Sequence, residues 1–463
     1  MSARSRIQSA KAEHAHQPTQ SSWQAIVPMA GLLVIAVALG GGGVRYGLSN
    51  FVIQAVALGI LAFNFKAFAG FWISAPWLLR ILTGLTVLVP ALHIMPLPES
   101  IWSALPGRDL VVQSRELIGL SGWAPASIDP ARSLVALTGL IVPLTILTIG
   151  WSLPRRNLLT LGWVIVALGT VCFLLGVPQV LSAGTSGVYY SERGPTGLLY
   201  GTFANRNSTG VFLVSALALA ALLPYPLAQP AKAALPIRLA ICGLLALGVV
   251  LTQSRTAFVL AGIPIALGLA KAVAAKRAQK RSGGQGAQLA IFAAIGLGIA
   301  GIGGTLALAP GPVGKTLERF EAIDDARAYI WEDAAYSAGR HWPMGAGMGT
   351  FDEVFQVDES LENLTRRRAG RAHNDYIELA LEAGIIGLAL AAAWLCLVGW
   401  LSWKAGASNA RWAGWACGTI LLAVALQSIT DYPLRNQTML AVAAFAMLML
   451  ARIAQGAAPE QSS

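Results

Sequence analysis

Charge is what this sequence has least of. Only 12% of its 463 residues are charged, against 55% hydrophobic, where a soluble globular chain carries about 25% charge. That excludes an ordinary soluble domain. Repeated apolar runs of about 20 residues predict transmembrane helices instead, and the class is an all-α polytopic membrane protein. Cysteine is equally sparse. Cys172, Cys242, Cys396 and Cys417 each fall inside an apolar run with no CxxC pair. They are expected to be small buried hydrophobes, not disulfide or zinc ligands. No Asp-x-Asp of the kind sugar-nucleotide enzymes use to hold a metal is present. None of the 22 acidic residues lies at the middle of a predicted span, which counts against an ion-coupled transporter.

What is present is a succession of apolar runs. Twelve spans are predicted, at 25–43, 50–66, 76–95, 132–153, 157–178, 207–226, 236–253, 255–275, 288–309, 384–403, 412–430 and 437–453. They make a membrane domain over 23–453, between a disordered tail at 1–22 and a second tail at 454–463. The first span lacks a cleavage site and reads as a retained helix. With the N-terminus inside, tails and cytoplasmic loops hold 17 Lys and Arg, and short external loops hold 8. The positive-inside rule then puts both termini in the cytoplasm. The formal charge of +11 is spent on that topology, and nucleic-acid binding is not expected.

One long polar excursion, 310–384, interrupts the pattern with 14 of the 22 acidic and 8 of the 33 basic residues. It faces outward, which in a bacterium is the periplasm or the outer surface. Asp325 to Arg340 has a small-residue face at Ala326, Ile330, Ala334 and Ser337, predicting a helix on the membrane surface. Gly345-Ala-Gly-Met-Gly forms a turn, not a phosphate loop, since no Gly-Lys-Ser/Thr follows. A helix is expected from Asn374 to about Ala383, with Gly384 at its end or at re-entry into the bilayer.

The external face carries the candidate chemistry. Arg206 enters a span between Asn205 and Asn207, either as a snorkelling interfacial Arg beside a helix cap or as a ligand held by two amides. Arg255 sits in the tight turn Thr252-Gln-Ser-Arg-Thr, where a permanent cation calls for an anion. A diphosphate fits bidentately; a carboxylate of the large loop is the structural alternative. His373 follows a basic run and precedes a helix start, both of which disfavour the imidazolium. A neutral imidazole is what a general base needs. His93 and His341 offer less reason to be chosen, and three histidines without ligand spacing do not suggest a metal site.

Five stretches, Gly201-Thr-Phe-Ala-Asn-Arg-Asn, Gln253-Ser-Arg-Thr-Ala, Arg327-Ala-Tyr-Ile-Trp with Pro343-Met-Gly-Ala-Gly-Met-Gly-Thr-Phe, His373-Asn-Asp-Tyr-Ile-Glu, and Asp431-Tyr-Pro-Leu-Arg, together resemble the O-antigen ligase and O-antigen/exopolysaccharide polymerase family. Their order over about 200–436 carries the match. The resemblance implies a lipid-dependent, GT-C-like glycosyltransferase of the bacterial inner membrane that needs no metal or other cofactor. Its donor would be a glycan on undecaprenyl diphosphate, and its acceptor a glycan or lipid A-core. A chain-length regulator is a possible accessory partner. His373 is then the base or acceptor-orienting group, and Arg255 a diphosphate ligand. The second such arginine is Arg206 or Arg193, because Leu198-Leu-Tyr stands where many members carry it. Asn205, Asn207, Arg327, Arg371, Asn374, Asp431 and Arg435 are weaker candidates for holding or orienting the glycan. The alternative is a transporter or channel for a small anion or sugar, with the external arginines as its funnel.

Overall fold

A computed structural model describes residues 22–182, 189–190, 197–225, 234–281, 327–364 and 368–456. The first tail up to residue 21, Arg193, the expected span 288–309, the start of the outer loop at 310–326 and residues 457–463 lie outside the described residues. Apart from a two-residue strand pair, Pro96–Leu97 against Ala124–Pro125, the described regular structure is helical. The all-α polytopic class is the one found.

Seven helices are long and apolar enough to cross a membrane: Trp77–Ile94, Pro130–Trp151, Arg155–Leu181, Ala234–Leu251, Arg255–Arg277, Asp375–Gly406 and Gln437–Gln455. Gly47–Phe63 and Phe65–Ser74, bent by 78°, make an eighth if counted as one span. The second helix of that pair runs through residues 67–74, between the spans expected at 50–66 and 76–95. Asn64 causes the bend, since its side chain donates to the Ile60 carbonyl at 2.8 Å and so competes with the helical backbone. Three expected spans are shorter helices, Ile26–Leu39, Arg206–Leu222 and Arg411–Gln427.

The Arg206–Leu222 helix is the hub, packed against those at 155–181, 234–251, 255–281 and 411–427. Small residues let its neighbours in: a Cβ on Gly210 would lie 2.5 Å from the Ala257 Cβ, and one on Gly169 would lie 2.5 Å from the Ala216 Cβ. Gly40 and Gly41 serve the same purpose at the outer end. A Cβ on Gly41 would meet the Thr202 carbonyl oxygen at 2.2 Å, where the chain passes beside Phe203. The cysteines are unpaired, and Cys396 is exposed instead of buried as expected.

The outer lobe has a core of its own. Ala334, Ala338, Ala346, Phe351, Val354, Phe355, Ala372 and Leu381 pack together, with the Phe351 and Phe355 rings stacked at 5.2 Å. The Arg327–Arg340 helix was expected to lie on the membrane surface. Its face with Ala334, Ser337 and Ala338 packs against the Asp375–Gly406 helix, since closely spaced small residues favour helix–helix contact.

That last helix joins lobe to membrane through a kink at Gly384, whose φ is 56° and ψ −143°. The break frees backbone groups, and the Gly345–Gly349 turn satisfies them. Ala346 N–H donates to Leu381 O at 2.8 Å and Gly347 N–H to Glu382 O at 2.9 Å, while Ile385 N–H donates to Pro343 O at 3.0 Å. The glycine-rich turn is therefore a packing device. A Cβ on Gly384 would stand 1.9 Å from the Pro343 carbonyl oxygen, a backbone atom with nowhere to go. Gly384→Ala is expected to destabilise the lobe by about 1–3 kcal/mol, read as a lower thermal unfolding midpoint in detergent; an unchanged midpoint would show that the kink is not required.

Candidate functional site

Four helix starts meet at the outer end, and polar side chains cap them. Asn205 caps the Arg206 helix, accepting from Asn207 N–H at 2.9 Å. Asn374 caps the Asp375 helix, accepting from Tyr376 and Ile377 N–H at 3.0 and 3.1 Å. Asn436 caps the Gln437 helix through Met439 N–H at 2.9 Å. Arg255 opens the fourth, where Ser254 Oγ accepts from Ala257 N–H at 3.4 Å. Each start presents the positive end of its dipole, so the space between them favours an anion.

One carboxylate is already built in. Asp431 is 1% exposed and lies in the turn before Pro433–Arg435. Asn205 Nδ2 donates to both of its oxygens at 3.1 and 3.0 Å, and Tyr432 N–H donates to Oδ1 at 3.0 Å. His373 Nδ1 stands 3.2 Å from that same oxygen. Burial would raise the Asp431 carboxyl, but the hydrogen bond and charge of His373, the Asn207 side chain and Arg327 hold it below the usual carboxylate range. The stabilisation this gives is present above the ordinary value of about 3.9 and is lost as pH falls through the lower folded value.

His373 is a third exposed at its side chain, its ring 5.0 Å from that of Tyr432. Its backbone is left-handed, with φ 52°; Gln253, two residues before Arg255, has φ 50°. These are the only non-glycine positive φ values among the described residues, and such conformations concentrate where a side chain must be aimed. Trp331 Nε1 holds the Ala372 carbonyl at 2.8 Å, tying the histidine's neighbour to the Arg327–Arg340 helix. Thr256 Oγ1 meets Thr430 Oγ1 at 3.0 Å. The residue after Arg255 is thus bonded to the residue before Asp431.

The structure accordingly brings His373, Asp431, Asn205, Asn207 and Arg327 together, with Arg206 and Arg255 on the adjoining helix starts. It does not do so for Arg371 and Arg435. Arg371 pairs with Glu378 at 3.0 Å. Arg435 meets Asp375 at 3.3 Å, Glu378 at 3.3 Å and Glu382 at 2.9 Å. Burial opposes the Arg435 charge, but Glu382, Glu378 and Asp375 raise it far above its ordinary range. Both arginines are held by carboxylates, and Asn374 spends its amide oxygen on the cap. Sequence reasoning missed this clamp, although acids at 375, 378 and 382 share one helix face. It also missed Thr256, Thr430 and Trp331. Among the described residues no three His, Cys, Asp or Glu side chains are grouped to hold a metal ion.

A polytopic membrane protein with a polar site at one end of its bundle is the class so defined. The sequence model of the O-antigen ligase family (Wzy_C) matches residues 240–392, the family to which the motif order pointed. Arg255, Arg327 and His373 fall within that stretch; Asn205, Arg206 and Asp431 lie outside it. The matched stretch is similar to a ligase-type enzyme family, and it covers about a third of the chain. No curated protein matches the chain.

Replacing Arg435 by Met leaves three carboxylates buried without their cation. The expected cost is about 3–5 kcal/mol, seen as loss of the folded protein on size exclusion or a large fall in thermal midpoint. Glu382→Gln in the same background should recover part of it; full wild-type stability of Arg435→Met would remove the clamp from the account.

Proposed function

We propose that this chain is a glycosyltransferase of the bacterial inner membrane. It moves a glycan from undecaprenyl diphosphate to an acceptor hydroxyl on the periplasmic face, as a polysaccharide polymerase or an O-antigen ligase. The observation that supports this reading most is the His373–Asp431 pair set among four helix starts, with Arg206, Arg255 and Arg327 around it. Its orientation rests on the lysine and arginine count, which also puts both termini in the cytoplasm.

The chemistry follows from the residues. Asp431, as a carboxylate, accepts the Nδ1 proton of His373, which leaves Nε2 as a lone pair toward the acceptor. Nε2 takes the proton of the acceptor hydroxyl as its oxygen bonds to the anomeric carbon of the donor. The bond from that carbon to the diphosphate oxygen breaks, and its electron pair leaves with the lipid diphosphate. Arg255, with Arg206 as the second ligand, lies where that charge grows, at the boundary where a prenyl tail enters the bilayer. Fixed cations and helix dipoles stabilise it without reorganising. One inverting displacement suffices, and the donor needs no nucleotide because it is already activated. Asn205 and Asn207 hold Asp431 and are positioning residues.

The test is incubation of purified protein with lipid-linked oligosaccharide, with and without a chelator, followed by gel analysis of glycan length. His373→Ala is expected to lower transfer by about 10²–10⁴-fold while donor binding persists. Arg255→Ala is expected to weaken donor binding itself. Wild-type product from His373→Ala removes the histidine from the mechanism. Offering a second lipid-linked repeat or lipid A-core as acceptor separates polymerase from ligase.

A further inference from the structure

The opposite end of the bundle holds two cations that no acid among the described residues meets. Arg238, in the second turn of the Ala234–Leu251 helix, is only 9% exposed. Its guanidinium lies 3.8 Å over the Tyr225 ring and 5.2 Å from that of Trp163. The Nε and Nη2 atoms are closed in without a hydrogen-bond partner, so the accessible edge of the group is what remains for a ligand. Lys271 sits on the same turn, its ammonium donating to the carbonyls of Ala221, Leu222 and Leu223 at 3.3, 2.8 and 3.2 Å. Trp163 Nε1 donates to Pro224 O at 2.9 Å. Four side chains from three helices and one turn thus converge on residues 221–225.

Aromatic rings and helix-end carbonyls offset part of this charge, but they do not neutralise it. No carboxylate can. From residue 193 to residue 317 the sequence contains no Asp or Glu at all. All the described acidic residues belong to the outer lobe, the 96–129 loop or the 431 turn, at the His373 end. The same inner boundary adds further cations, with Arg155 and Arg156 opening one helix and Lys276 and Arg277 near the close of another. A buried polar group left unpartnered calls for a ligand, and here the ligand must bring its own negative charge.

Its surroundings say which kind. Ile237 is 56% exposed beside Arg238, and Leu269 and Val273, at 43% and 42%, flank Lys271 on the next helix. These outward apolar side chains suit acyl chains, and the Trp–Tyr pair suits the interfacial depth of a headgroup. We propose that Arg238, Lys271, Trp163 and Tyr225 form a binding site for the phosphate of an anionic phospholipid, in the leaflet on the face away from His373. Basic clusters between spans at a cytoplasmic boundary meet lipid phosphate in this way. The site does not depend on the glycan chemistry at the other end.

The experiment reads lipid retention and thermal midpoint on the purified full chain in nanodiscs of phosphatidylglycerol or phosphatidylcholine, and in detergent with inorganic phosphate. The wild type should retain phosphatidylglycerol selectively through detergent exchange and gain stability from it. Arg238→Gln should reduce that retention roughly tenfold, as expected for losing a charge-assisted hydrogen bond. Arg238→Lys should keep most of it. Equal retention of both lipids, or the same selectivity in Arg238→Gln, overturns the proposal. A stabilisation reproduced by inorganic phosphate alone overturns the lipid assignment. Should Arg238→Gln not fold, the wild-type arms still decide between these outcomes.

Discussion

A carboxylate taken out of water must find donors for its oxygens, and at the outer end of this protein that demand falls on Asp431. Its partners come from residues 205, 373 and 432, so one buried side chain joins segments that are 226 and 58 positions away along the chain. A histidine on a long loop would otherwise wander. Here its ring is held from one side by a carboxylate, which is itself held by an asparagine that caps a helix in the middle of the bundle. The accuracy of the site is therefore borrowed from the membrane core.

Behind that pair lies a second polar layer. Arg435 gathers Asp375, Glu378 and Glu382, while Ser428 Oγ donates to Asp375 at 2.8 Å. Glu378 also accepts from Ala372 N–H at 3.0 Å, which fixes the residue just before His373. A layer of this kind contributes little net stability. What it does is set the direction in which the His373 backbone leaves the helix. The left-handed backbone at His373 persists because both flanking residues are bonded elsewhere.

Much of this was legible in the sequence, and the rest was not for identifiable reasons. Apolar length gave the all-α polytopic class, because a bilayer imposes it on any chain, while the count of twelve spans was not reached among the described residues. The outer lobe, the start of the 375 helix and the break at Gly384 could be read from polarity and a glycine. The order of short motifs brought His373, Arg255 and Asp431 into one hypothesis. Pairing could not be read. Arg371 and Arg435 look like free glycan-facing cations in a linear text, and only the folded lobe puts acids against both. For the helix at 327–340 a stripe of small residues does not say whether lipid or protein covers it, and the fold puts protein against Ala334 and Ala338. The bend at Asn64 is local chemistry visible in principle, but nothing in hydropathy marks it.

The Arg206–Leu222 helix has a consequence for how the protein is made. Fourteen of its seventeen residues are buried, and its neighbours include two helices about 200 residues further on, Arg411–Gln427 and Gln437–Gln455. Of its main helix neighbours only Arg155–Leu181 precedes it in the sequence. A segment this buried completes its packing only after the helices that follow it have been made.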